Sequence, residues 1–171
     1  MAITTFLRAE ALMSESKTNY IRKSWNRLER IPGGKRLFSR LVGRFAPYTG
    51  TIGAVVQELE DGYARVTLAD RHAIRNHLSC IHAVALANLV ELTGNLALGY
   101  SLPDEARFIV AGMSLDYLKK ARGTITGECR TPAINSSAKQ EYEIKVTLSD
   151  ERGDLVVEGT LRTLVGPKQQ G

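Results

Sequence analysis

Residues 79–98 carry apolar side chains around almost the whole circumference of any helix they could form, and that run decides what the rest of the chain must do. Leu86, Leu89, Val90, Leu92, Leu96 and Leu98 point in all directions at 3.6 residues per turn, while Ala83, Ala85, Ala87, Gly94 and Ala97 keep the helix slim. A helix without a wide polar face has to be covered on most sides by other elements. Ser79 is the expected N-cap, Gly99 the expected stop, and Pro103 a later breaker. One carboxylate, Glu91, interrupts the pattern. Burying it is costly unless it is hydrogen-bonded, paired or protonated, and such positions favour general bases and nucleophiles; the alternative is that Glu91 emerges at a solvated edge. Val84, Asn88, Glu91 and Asn95 stand at steps of four, three and four, so they share one stripe.

The flanking sequence supplies a sheet to do the covering. Residues 51–59 and 63–68 are β-branched and alternating, joined through Glu60-Asp61-Gly62, which reads as a hairpin turn. After the helix, residues 107–118, 123–130, 140–149 and 155–165 alternate as four further strands. Two strands, one long helix and four strands make an α+β pattern: an antiparallel sheet of about six strands with the helix in its concave face. Upstream, Tyr20, Ile21, Trp25, Leu28 and Ile31, then Leu37, Phe38, Leu41, Val42 and Phe45, recur at three- and four-residue steps, predicting two short helices broken at Pro32-Gly33-Gly34 and closed by Pro47. The expected organisation is a basic amphipathic helical arm over residues 1–47 and a main domain over residues 48–171.

The 171 residues fit one domain with a core that needs no staples. Net charge is +5, concentrated at the start: residues 1–47 hold ten Lys and Arg against Glu10, Glu15 and Glu29, whereas residues 48–171 hold thirteen against fifteen acids. The main domain lacks the basic surface with interleaved aromatics of a nucleic-acid binder. The arm could be a solvated helix face, a contact for anionic lipid, or a mitochondrial targeting segment. Cys80 and Cys129 form no C-x-x-C pair, so neither a disulfide framework nor a thiolate zinc site is expected, and the reading is a cytoplasmic protein, or a mitochondrial one if the arm is a targeting segment. His72, His77 and His82 recur every five residues, which matches no metal-ligand spacing, so no metal is expected.

Asn76, His82, Ala83 and Glu91 together resemble the central motif of the PaaI-like and 4-hydroxybenzoyl-CoA thioesterases: an Asn or Gln six residues before a His, small residues opening the helix, and an acid nine residues after the His. Residues 113–123 resemble that group's strand entering a basic turn, and residues 146–153 its penultimate hairpin. The similarity spans about residues 51–165. The N-terminal helices together with Asn76-His77-Leu78 resemble most the hotdog branch known as DUF4442.

The resemblance implies a hotdog fold and hydrolysis of an acyl-CoA or acyl-carrier thioester, with coenzyme A present only as part of the substrate and no further cofactor. It implies Glu91 as general base or nucleophile, and the Ala83 amide as stabiliser of the oxyanion. First-turn amides lack intrahelical partners and sit at the positive end of the helix dipole, which suits Ala83 and Val84 to that role. Where the group carries glycine after the histidine, this chain has Ala83 and Val84, and Val84 would crowd the substrate. Asn76 would hold the thioester or water, His82 would shape the helix start, and Asn88 and Asn95 would orient the carboxylate or a water. Lys119, Lys120 and Arg122, with Arg71 and Arg75 behind them, would meet the coenzyme A phosphates. A homodimer is implied, extendable to a tetramer, with residues from both subunits at each site. Two other readings stay open: a hydratase or dehydratase using His77 and Glu91, and a non-catalytic acyl-CoA binder.

Overall fold

The structure is a computed structural model that describes residues 19–168. The start of the expected basic arm, including Arg8, Glu10, Glu15 and Lys17, lies outside the described residues. Three helices open the described chain: α1 (Tyr20–Leu28), α2 (Gly34–Phe45) and the single turn α3 (Pro47–Gly50). Gly33, at φ +77°, makes the turn between α1 and α2, and a Cβ on Gly34 would stand 1.7 Å from the Leu28 carbonyl oxygen, so only glycine lets the two helices cross here. Across that crossing Trp25 and Phe38, both buried, meet edge to face at a centroid distance of 5.1 Å.

Six strands follow: β1 (Val55–Glu60), β2 (Tyr63–Leu68), β3 (Ala106–Tyr117), β4 (Ile125–Arg130), β5 (Gln140–Ser149) and β6 (Leu155–Pro167). They form one sheet in the order β1-β2-β4-β5-β6-β3, every neighbour antiparallel. Between β2 and β3 the chain crosses the sheet as the long helix α4 (Ala83–Ser101), which touches all six strands. Leu89, Val90, Ala97 and Leu98 are fully buried on it, facing a floor that includes Val66, Ile125, Ile144, Val146, Val157 and Leu161. This is the hotdog arrangement that the apolar helix demands, since a helix this hydrophobic is soluble only when wrapped. Trp25, Phe38 and Ile52 join the same core.

Several boundaries differ from the sequence reading, each for a local reason. His82, not Ser79, caps α4: Ser79 sits at φ 55° inside a tight loop, while the extended His82 accepts the Val84 N–H at Nδ1 (3.1 Å). Gly99 does not stop the helix, which runs on to Ser101. A Cβ at Gly99 would lie 2.7 Å from Ile21 Cδ1, so this glycine admits α1 rather than ending α4. Asn19 and Arg22 then cap free carbonyls at the end of α4, with Asn19 Nδ2 donating to Gly99 O (2.7 Å) and Arg22 Nη2 to Leu102 O (2.6 Å). Pro47 does not close the arm but opens α3 at its first helical position. Residues 51–54 precede β1 instead of belonging to it, and β4 begins at Ile125 rather than at Gly123, which takes φ +69° in the preceding turn.

Candidate active site

The approach to α4 is built by a loop that folds on itself. After a 3₁₀ turn (His72–Ile74), Arg75 and Ile81 form a bridge and the Asn76 N–H donates to Cys80 O (2.9 Å). The Asn76 side-chain oxygen accepts the Leu78 N–H (2.9 Å) and lies 3.4 Å from both the Cys80 nitrogen and its thiol. This Asx turn occupies the carboxamide oxygen, while the Asn76 NH2 has no partner among the described residues. Leu102 and its neighbours close the far end of α4, but at this end one donor is left over. The His82 carbonyl takes the N–H groups of Ala85 (2.9 Å) and Leu86 (3.1 Å), and the His82 ring takes that of Val84. The Ala83 N–H is the first-turn amide without a partner among the described residues, at the positive end of a 19-residue helix.

Ala83 itself lines a cleft of about 360 Å³, together with Asn76, Leu86, Tyr117, Lys119, Lys120, Cys80 and Leu118. Tyr117, at the end of β3, donates its hydroxyl to Ala83 O (3.1 Å), tying the helix entrance to the sheet. Burial pushes the Tyr117 phenol up, so it keeps its proton and its donor role at neutral pH. Val84 does not line this cleft and is 51% exposed.

Two turns along, Glu91 is half-buried and makes no hydrogen bond or ion pair among the described residues. Leu89 and Thr93 turn to the sheet at Gly127, so the stripe Val84, Asn88, Glu91 and Asn95 looks away from it. Asn88 is 5% exposed and donates Nδ2 to Tyr48 O (3.3 Å), while its Oδ1 and the buried Oδ1 of Asn95 have no partner among the described residues. Two acceptors and a carboxylate without partners among the described residues form a polar strip inside an apolar helix.

The basic candidates separate by environment. Lys119 is engaged by Asp150 (2.9 Å) and by Asp154, which pins the β5–β6 hairpin to the end of β3. Arg75 pairs with Asp70 (2.7 Å), and Arg71 donates to Thr51 O (2.9 Å). Lys120 and Arg122 are exposed and form no ion pair among the described residues. His77 is exposed on the loop and outside the cleft that holds Ala83. No group of three His, Cys, Asp or Glu among the described residues is arranged to hold a metal. The structure thus brings Asn76, Ala83, Lys119 and Lys120 to one cleft and sets Glu91, Asn88 and Asn95 on a neighbouring face of the same helix. Sequence reasoning missed Tyr117, Leu86 and Cys80 as cleft residues; the alternation that makes Tyr117 a strand residue gave no hint that its hydroxyl reaches the helix.

Comparison with solved structures supports the fold. A structural-genomics protein, APC5556, superposes with a TM-score of 0.74 at 28% identity, covering 91% of this chain and 99% of its own. PA5026 from Pseudomonas aeruginosa, described as a protein of unknown function and probable thioesterase, gives a TM-score of 0.70 at 26% identity over 80% of this chain and 97% of its own. Thioesterase HI1161 from Haemophilus influenzae gives 0.66 at 13% identity, over 75% and 90%. No curated protein matches the chain. The family model described as a domain of unknown function, DUF4442, matches residues 34–165, and the chain belongs to that family.

Proposed function

We propose that this chain hydrolyses acyl-CoA thioesters as a homodimer, with Ala83 of one copy and Glu91 of the partner subunit acting on the same carbonyl. The observation that carries the reading is a pair of groups on α4 with no partner among the described residues: the first-turn amide of Ala83, a residue that lines the cleft, and the half-buried Glu91 carboxylate. Glu91 follows Ala83 by eight residues, about 12 Å along the axis and roughly 80° around it. A thioester carbonyl within about 3 Å of an amide and of the attacking oxygen does not reach both on one chain. A two-fold axis that lays two such helices against each other would bring the two groups together twice.

The edge strand supports pairing. Among the described residues β3 is bonded only to β6, so the other edge of this twelve-residue strand has no partner there, and Met113, Tyr117 and Leu118 expose apolar surface beside it. An uncovered edge of that length invites a partner strand.

In the reaction, the Ala83 N–H polarises the thioester carbonyl and Glu91 takes a proton from water as the water oxygen bonds to the carbonyl carbon. The tetrahedral oxyanion rests on the Ala83 amide. Its collapse breaks the C–S bond, and the thiolate recovers the proton from Glu91, leaving a carboxylic acid and free coenzyme A. Direct attack by Glu91 would give an anhydride that water then opens, with the same products. Lys120 and Arg122 would receive the coenzyme A phosphates. The description of PA5026 as a probable thioesterase and of HI1161 as a thioesterase agrees with this reading. The test is thiol release from short, medium, long and aryl acyl-CoAs: turnover that falls at least about a hundredfold in Glu91→Gln, with the fold intact, is expected. Binding of acyl-CoA without any thiol release would overturn it in favour of a non-catalytic binder.

A further inference from the structure

The doublets Arg36-Leu37, Arg40-Leu41 and Arg44-Phe45 repeat every four residues along α2, which lays an arginine stripe directly beside an apolar one. Leu37 is 44% exposed, Leu41 46% and Phe45 60%, and Tyr48 continues the strip at 67%. This exposure does not come from a loosely attached helix. The opposite face is anchored by Phe38, 2% exposed against Trp25, and by the Ser39 hydroxyl, which accepts the Val56 N–H of β1 (2.9 Å). No acidic residue occurs between Arg30 and Gln57, and Arg36, Arg40 and Arg44 form no ion pair among the described residues.

We infer that α2 is a docking face for an anionic lipid surface, its apolar stripe entering the headgroup boundary and its arginines meeting the phosphates. Charge complementarity selects this occupant. A second copy seated by two-fold symmetry would oppose the arginine stripe to itself, and a hydrated acidic protein would leave Leu37, Leu41 and Phe45 without a matching apolar surface. A bilayer offers both at the depths where these residues stand, with arginine stems reaching up to the headgroups and Tyr48 at the interfacial level. The inference does not depend on the hydrolase reading, although Tyr48 touches Asn88 through its carbonyl, so the docked face would adjoin the polar strip of α4.

The experiment is vesicle co-sedimentation of the full chain, comparing phosphatidylcholine alone with phosphatidylcholine containing one third phosphatidylserine. Expected are binding to the anionic vesicles only, weakening as salt is raised, and loss on the order of a hundredfold in the triple variant Arg36→Gln/Arg40→Gln/Arg44→Gln. A second variant, Leu37→Ser/Leu41→Ser/Phe45→Ser, should also release the protein while circular dichroism stays that of the parent. Failure of the parent to bind anionic vesicles overturns the inference, as does binding that survives either triple variant. A smaller oligomer on light scattering in the serine variant, without vesicle binding by the parent, would assign the face to a subunit contact; capture of an acidic acyl carrier protein in place of vesicles would assign it to that protein.

Discussion

Replacing Ala83 with proline removes one hydrogen-bond donor, puts the ring Cδ where its hydrogen stood, and leaves the helix otherwise as it is. Ala83 opens α4, the position at which proline is most at home in a helix, because its N–H has no intrahelical partner to lose. The residue before it is already compatible: His82 stands at φ −65°, ψ 139°, the extended region that a following proline requires. The Ala83 amide donates to nothing among the described residues, so no internal hydrogen bond disappears. Folding stability should hold or rise by about 0.4–1 kcal/mol through the stiffer unfolded chain, an upward melting shift of at most about 4 °C. Catalysis should respond in the opposite sense. Loss of a single oxyanion donor removes about 2.7–4 kcal/mol from the transition state, a fall of roughly 10² to 10³ in kcat. Because the bond strengthens mainly in the transition state, kcat and kcat/KM should fall together with KM little changed. Ala83→Gly, which keeps the amide, serves as the control and should stay active. The readouts are thiol release under saturating acyl-CoA and a thermal melt. A proline variant with parental kcat would refute the assignment of the amide, and one that melts far below the parent would refute the account of the helix entrance.

Two further outcomes concern the neighbourhood of the cleft. The guanidinium of Arg75 and the Gly123 N–H hold the Asp70 carboxyl below its ordinary range, so its contribution to stability is present at neutral pH and disappears as pH falls through the lowered value, below about 4. Asp70→Asn should therefore melt lower than the parent at pH 7, and melts taken at successively lower pH should bring the two curves together; a gap that persists or widens in acid would contradict this. Lys119 and Lys120 should behave differently despite being adjacent. Lys119→Ala should lower the melting temperature by freeing Asp150 and Asp154, whereas Lys120→Ala and Arg122→Ala should leave the melt alone and raise KM for acyl-CoA severalfold at unchanged kcat.

The parts of this fold that can be read from the chain are those set by periodicity. An apolar pattern that goes all the way round residues 83–98 leaves a wrapped helix as the soluble solution, and the alternation of residues 140–149 marks β5 at both ends. What periodicity does not carry is the identity of partners distant in sequence. Gly99 looks like a stop until Ile21, seventy-eight residues earlier, is seen to occupy the space its missing side chain leaves. Ser79 looks like a cap because its residue type suits one, yet the turn closed by Asn76 puts it out of reach and hands the role to the His82 ring. The site divides along the same line. Glu91 stands out as the one carboxylate in an apolar helix and Ala83 through the family resemblance, but which first-turn amide remains without a partner among the described residues follows from the Nδ1 lone pair that takes Val84, and Tyr117 enters only because β3 ends beside the helix entrance. Asn88 reads as a residue that satisfies nearby backbone; half of it does so at Tyr48, while its oxygen has no partner among the described residues.

Subunit complementation tests most directly whether two copies build each site. Ala83→Pro and Glu91→Gln chains, co-expressed with different tags and purified as the mixed dimer, should regain about half of the parental turnover, because one of the two sites then holds an intact amide and an intact carboxylate. A mixed dimer no more active than either inactive parent would mean that the amide and the carboxylate do not meet across the two-fold.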